Sequence, residues 1–349
     1  LISPWEIFCL RKARRSNPCP RAYEASPSAV LAATRDLTRA NAGNQVSYGD
    51  DEVTTALRDA MHAHFGPSAE VFPVFNGTGA NVVALQAMTK RWEAVLCATT
   101  SHVNVDEGGA PEHGPGIKLW TIPTPDGKLT PDLIDTQAWG FGNVHRAQPG
   151  AVTITQSTEL GTLYTVEEIR AIADHAHALG MRVHMDGARI ANAAASLGTG
   201  FREFTTDAGV DVVSFGGTKN GAMLSEAIVV LDPDAAPGID FLRKTSMQLA
   251  SKMRYLSAQL LALLTDDLWL RNATQANAMA RLLEERVSRI EGVNIVRPVQ
   301  ANAVFAILPA EVTERLQQRF RFYTWDEATG EVRWMCSWDT TVDDVDLFA

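Results

Sequence analysis

Cysteine is scarce in this chain of 349 residues: Cys9, Cys19, Cys97 and Cys336 are the only four. They form no paired framework and no metal-ligand spacing, which excludes a disulfide-stapled scaffold and leaves no metal site to expect. That usage suits a reducing compartment, and the cytoplasm is the expected location. Long apolar runs are missing too, so no segment is expected to span a bilayer. Positive charge is in deficit. Lys and Arg total 31 against 41 Asp and Glu, a formal net charge of −10. A nucleic-acid binder needs a basic face, and this balance argues against one. No internal repeat and no low-complexity tract is present.

What remains is the composition of an ordinary soluble globular protein, 46% hydrophobic and 21% charged. The length suffices for one large domain, or for a large and a small one. The start is atypical. The chain begins at Leu1, and residues 11–21 hold Arg11, Lys12, Arg14, Arg15 and Arg21 with no acid. A transit peptide fits that composition. The apolar core of a secretory signal is lacking, and Pro18 and Pro20 interrupt an amphipathic helix. A disordered or altered leader is the expectation for this segment.

From about residue 70 to 231, short β-rich runs alternate with helical patterns. Strands are predicted at 71–75, 94–97, 117–122, 151–155, 181–185, 210–215 and 227–231, and helices at 79–90, 130–138, 166–179 and 188–197. Thr165 with Glu168 gives the third helix a capping box, and Gly180 gives it a C-terminal glycine. Such alternation implies crossover connections and a mostly parallel sheet covered on both faces. Ligands bind such sheets at the carboxyl ends of the strands. Helices follow at 247–264 and 271–291, then apolar runs at 293–297, 303–308, 320–324 and 332–338. The expected organisation is an α/β chain: an atypical segment 1–45, a large domain 46–270 and a small α+β domain 271–349. Thr341 is read as the N-cap of a last helix.

Two strand ends carry the chemistry. Ser214-Phe215-Gly216-Gly217-Thr218-Lys219-Asn220-Gly221 delivers a lysine from an apolar run into a glycine turn. Lysines are normally solvated. One that is desolvated has a lowered pKa and a free lone pair, fit to form an imine with a carbonyl. His184-Met185-Asp186-Gly187-Ala188-Arg189 ends another run with an aspartate. An amine for an aldehyde and a carboxylate for a pyridinium nitrogen are the minimum that pyridoxal phosphate (PLP) requires.

Other residues are more open. In Phe75-Asn76-Gly77-Thr78-Gly79-Ala80-Asn81, a strand leads into a helix whose N–H groups suit a phosphate; a tight turn explains the glycines equally well. The dinucleotide fingerprint fails at Val82, and the P-loop order fails at Gly217-Thr218-Lys219. His102 follows a strand and either covers a ring, moves protons or is a satisfied loop histidine. Glu159 is catalytic or a plain loop carboxylate. Arg189 lies three residues past Asp186 and is placed to hold an anion. Arg333, inside an apolar run, needs an anionic partner, either substrate or internal. Arg254 lies near the start of a long helix, where a solvated face is the simple reading. The remaining histidines, His184 included, read as structural. The order of glycine loop, His, Asp, Lys and distant Arg says more than any member alone.

With these residues in view, the chain resembles the low-specificity L-threonine aldolases, within the fold type I, aspartate-aminotransferase-like PLP enzymes. The resemblance runs from about residue 46 to 340. It rests on Tyr48-Gly49-Asp50-Asp51, Phe75-Asn76-Gly77-Thr78, His102 with Asp106-Glu107-Gly108-Gly109-Ala110, the Asp186 and Lys219 segments, Ser251-Lys252-Met253-Arg254 and Met335-Cys336-Ser337-Trp338-Asp339. It implies that Lys219 binds PLP covalently, Asp186 pairs with the pyridine nitrogen, and His102 stacks on the ring near the substrate hydroxyl. It implies that Gly77, Thr78 and Gly79 hold the phosphate, with Arg254 reaching a neighbouring subunit's cofactor. Arg189 and Arg333 would grip the substrate carboxylate, and Glu159 stands where some relatives carry a second histidine. The implied activity is cleavage of L-threonine or L-allo-threonine to glycine and acetaldehyde, in a homotetramer built from dimers with shared sites. Another PLP lyase on the same scaffold, or a non-catalytic PLP-binding homologue, are the rival readings. The family's N-terminal Ser-Asp-Asn segment has no clear counterpart here beyond residues 26–28, and the last helix is short.

Overall fold

The structure, a computed structural model, describes residues 37–349. The readings on Cys9, Cys19, the basic run and residues 26–28 lie outside the described residues.

Seven strands form the large sheet: β1 (Glu70–Val74), β2 (Glu93–Ala98), β3 (Lys118–Ile122), β4 (Gln148–Thr155), β5 (Arg182–Gly187), β6 (Val212–Gly216) and β7 (Glu226–Val230). Their order is β1-β7-β6-β5-β4-β2-β3. Neighbours from β6 through β3 are parallel. Most of these strands are buried along nearly their whole length, as their apolar runs require. One strand departs from the parallel alternation. β7 runs antiparallel to both β6 and β1. Residues 217–225 between β6 and β7 contain no crossover helix, so the chain can only return antiparallel.

The helix Val166–Ala178 carries the expected capping box from Thr165 and Glu168, and Gly180 follows it at φ 76°. The expected helix over 247–264 is shorter, Arg254–Leu264. Met247 has φ 61°, and the Ser251 carbonyl accepts from the Tyr48 N–H at 2.8 Å. The Ser251 carbonyl is thus spent on a distant segment, while the Met247 and Gln248 N–H groups bond back to Lys244 and Arg243, so the long helix starts only at Arg254. The next helix is Leu268–Val287, entered through Asp266 and Asp267 at φ 50° and 53°, a conformation that aspartate tolerates better than most side chains.

A second sheet, β8 (Asn294–Ile295), β9 (Ala303–Ile307), β10 (Tyr323–Asp326) and β11 (Glu331–Met335), is antiparallel in the order β10-β11-β9-β8. The helix Leu268–Val287 joins the two layers. Leu268, Trp269 and Ala273 pack into the main core, while Met279, Ala280, Leu283 and Val287 pack against the small sheet. Thr341 caps the last helix, Val342–Phe348.

Candidate active site

Lys219 leaves the sheet just past β6, in the turn Thr218–Asn220. The turn needs its glycines. A Cβ on Gly216 would lie 2.5 Å from the Ala188 carbonyl oxygen, and one on Gly217 would lie 2.4 Å from that of Ser225. Both contacts are impossible for a larger residue, so the backbone packs tightly only because Cβ is absent. Glu226, the first residue of β7, grips the turn by accepting from the Gly217 N–H at 2.7 Å and the Thr218 N–H at 3.3 Å. From the other side, Asn220 donates to the Trp269 carbonyl, and Asn272 donates to that of Asn220. Burial, with Arg189 and Arg333 nearby, holds the Lys219 amine below the ordinary lysine value, although Asp186 and Glu226 pull the other way. Burial pushes the Glu226 carboxyl up.

Asp186 ends the neighbouring strand. Its Oδ1 accepts from the Ala188 N–H at 2.9 Å and its Oδ2 from Asn81 Nδ2 at 2.8 Å. Burial alone would raise its pKa. The charges of His102 and Lys219, with these hydrogen bonds, outweigh that and hold the carboxyl below its usual range. Beneath it, His184 is fully enclosed, bonded to Thr153 Oγ1 at 2.8 Å and Ser214 Oγ at 3.0 Å. Its burial depresses the ring's pKa to about 4. This is a structural histidine, as its sequence setting implies.

His102 opens a short helical turn after β2. Its ring Nδ1 lies 3.0 Å from Glu107 Oε1. Its backbone N–H donates to Glu159 Oε1 at 2.8 Å, which Thr155 Oγ1 also reaches at 2.9 Å. Glu159 therefore positions His102, while its Oε2 is buried with no partner among the described residues. Burial and the nearby Asp186 push the Glu159 carboxyl up. Arg189 forms no ion pair among the described residues, and burial lowers its pKa. Arg333, from β11, is 9% exposed and held at about 9 by burial and by Arg189. Its guanidinium lies 4.5 Å from the Trp325 ring centroid.

One cavity brings together Gly77, Asn81, His102, Glu107, Glu159, Asp186, Arg189, Lys219 and Arg333. The helix Gly77–Met88 points its N-terminus here. Asn76 caps it by accepting from the Gly79 N–H at 2.7 Å, which leaves the N–H groups of Gly77 and Thr78 without partners among the described residues. Thr78 and Gly79 face a second, open cavity of about 740 Å³, shared with residues 108–115 and 245–248. Gln248 covers Gly79, its side chain filling the space that a Cβ would need.

Arg254 is not brought to this cluster. It lines neither cavity. Nor is it on a solvated face: it is buried, and its Nε donates to the Ala40 carbonyl at 2.7 Å. Three residues that sequence reasoning missed stand out. Asn81 and Glu107 connect Asp186 to His102, and Glu226 holds the lysine turn. An acid opening the apolar run Glu226-Ala-Ile-Val-Val was a usable signal. Asn81 within an apolar helix was a weaker one, and Glu107 gave no local signal as a bonding partner.

A family model described as beta-eliminating lyase matches residues 27–311. The low specificity L-threonine aldolase of Pseudomonas aeruginosa is 44% identical over 332 residues, covering 95% of this chain and 92% of that one. The threonine aldolase structure from Leishmania major superposes with a TM-score of 0.85 at 28% identity, over 90% of this chain and 93% of that one. A PLP-bound protein of Clostridium difficile 630 has a TM-score of 0.67 at 9% identity, over 93% and 87%, and shares the fold.

Proposed function

Because this chain belongs to the beta-eliminating lyase family, we propose that it is a PLP-dependent aldehyde-lyase. Its reaction is cleavage of L-threonine, L-allo-threonine and related β-hydroxy-α-amino acids to glycine and an aldehyde. The observation that carries this reading is the meeting of Lys219, Asp186 and two buried arginines in one cavity.

The residues present fit PLP. A lysine with a lowered pKa stands near an ionised aspartate. The N–H groups of Gly77 and Thr78 are available for a phosphate at the N-terminus of a twelve-residue helix, and a Cβ on Gly77 would meet nothing within 4 Å. When bound, PLP supplies an aldehyde for amines and a pyridinium ring that accepts the electron pair left at Cα. Lys219 holds the group until substrate arrives, and Asp186 keeps the pyridine nitrogen protonated. Gly77, Thr78 and Gly79 form the phosphate cradle. Arg189 and Arg333 fix the substrate carboxylate, and that choice of orientation decides which Cα bond is presented for breaking. His102 takes the proton from the β-hydroxyl as the Cα–Cβ bond breaks and the aldehyde forms. Glu159 holds the His102 backbone in place.

The same reading extends to a homotetramer built as a dimer of dimers. Its support is the open second cavity beside the glycine loop, where Met247 is 81% exposed; a second copy would cover it. Cytoplasmic residence is supported by the buried thiols Cys97 and Cys336, neither of which is in a disulfide. No helix among the described residues is long and apolar enough to cross a membrane.

The test is product identity. Purified protein with added PLP is given L-threonine or L-allo-threonine, and glycine and acetaldehyde are expected in equal amounts. Ammonia and a keto acid in their place would convert the reading to a β-eliminating lyase. No product from any β-hydroxy amino acid would leave a PLP-binding homologue without turnover.

A further inference from the structure

Between the pyridine-nitrogen carboxylate and the ring-side histidine runs a buried chain that the reaction above does not use. Asn81 Nδ2 donates to Asp186 Oδ2 and to Glu107 Oε1, each at 2.8 Å. Glu107 Oε1 also faces His102 Nδ1 at 3.0 Å. His102, Glu107 and Asp186 hold their polar atoms within 4.8 Å of one another. The Glu107 side chain has no solvent exposure, and Asn81 is 2% exposed.

The chemistry of the donors fixes the proton positions. A carboxylate oxygen accepts, so an amide between two carboxylates must turn its NH₂ to both. Both hydrogens of Asn81 are thereby spent, one on each acid. Glu107 Oε1 likewise accepts from His102, so the ring carries its proton on Nδ1. In the neutral ring Nε2 is then the acceptor. Two buried carboxylates this close would otherwise repel each other, and one would take up a proton. Burial indeed pushes the Glu107 carboxyl up, against its hydrogen bonds to His102 and Asn81, and Asp186 adds to the rise.

We infer that Glu107 and Asn81 are positioning residues for proton removal. Glu107 locks His102 as the Nδ1–H tautomer, so that Nε2 receives the substrate's β-hydroxyl proton. Asn81 is the spacer that lets Glu107 and Asp186 share the site. The inference rests on the aldolase reading only for the identity of the proton; the tautomer does not depend on it.

The experiment therefore has two arms. In the first, long-range ¹H–¹⁵N NMR of histidine-labelled, cofactor-free protein reads the His102 tautomer, with His102→Gln to assign the signal. Wild type should show Nδ1–H. Glu107→Leu should lose it, and Glu107→Gln, whose amide oxygen still accepts, should keep it. In the second, threonine cleavage is compared with exchange of the α-proton of glycine in D₂O, a reaction with no hydroxyl to deprotonate. Glu107→Leu should lower kcat for cleavage by about 100-fold, with KM changed by less than about threefold. Glycine exchange should be unaffected, and Glu107→Gln should recover kcat to within about tenfold. An Nδ1–H ring in Glu107→Leu overturns the positioning role even if wild type proves to use another substrate. A shifted tautomer with unchanged cleavage overturns the role of Nε2. Equal loss of cleavage and exchange overturns the inference in favour of a general structural effect. If Glu107→Leu does not fold, Glu107→Gln decides alone: loss of the Nδ1–H tautomer, or of more than about tenfold in cleavage with exchange intact, overturns the proposed lock.

Discussion

The carboxyl edge of the seven-stranded sheet and the core under the four-stranded sheet are built on opposite principles. The first gathers buried polar groups: Asp186, Glu107, Glu159, Glu226 and Asn81. Several of their atoms lack partners among the described residues, including Glu107 Oε2, Glu159 Oε2 and Asn81 Oδ1. Unpaired buried polar atoms are costly, so stability alone would not select this arrangement. The second is an apolar packing problem solved with rings. Phe348 meets Trp334 at 5.1 Å, Phe320 at 5.0 Å and Phe322 at 6.1 Å, all steeply inclined, a favourable geometry for aromatic pairs. Among the described residues, its contribution to the site is Arg333. The difference teaches where the protein keeps chemistry and where it keeps strength.

Substitutions on each side should separate those properties. Lys219→Ala should abolish both the visible absorbance of bound cofactor and all threonine cleavage. Its unfolding midpoint in urea should hold or rise, since a buried charge is removed. Retained absorbance with full activity would take Lys219 out of its role. Trp334→Ala should do the reverse. The cavity left in the small core should cost about 3–5 kcal/mol of stability, read by urea denaturation, while cofactor uptake stays near wild type. A loss of cofactor affinity as large as the loss of stability would mean that the two regions do not separate.

The smallest effect concerns pH. His184 titrates near 4 in the fold and near 6.5 when unfolded. Between those values the unfolded chain binds a proton that the fold refuses. Its contribution is therefore intact above pH 6.5 and declines as pH falls toward 4, by on the order of 3 kcal/mol at most. Urea unfolding at pH 7 and pH 5 should show a smaller difference for His184→Gln than for wild type. Equal differences would show that this ring does not resist protonation. The small core has no such titratable ring, because no histidine follows His184 in the sequence.

Much of the site was legible because strand-end logic is local. An apolar run ending in Asp186, and another ending in a glycine turn with Lys219, announce themselves within a few residues. Arg333 was legible as a charge inside an apolar run. The seven-strand alternation was readable for the same reason, although the antiparallel course of β7 was not, since periodicity carries no direction. Arg254 does open a long helix, as its pattern implies, but the solvated face expected of it was not legible as wrong: its guanidinium is buried and turns to Ala40, a residue 214 positions away.

The sequence by itself determined the elements, the apolar faces and the residues presented at strand ends, because each follows from side chains a few positions apart. Tertiary structure alone decided which distant groups meet. Asn81 lies 26 residues from Glu107 and 105 from Asp186. No periodicity spans such a gap. The hydrogen bonds that set a histidine's tautomer or hold a lysine's turn come into being only when the sheet has brought those strand ends together and shut water out.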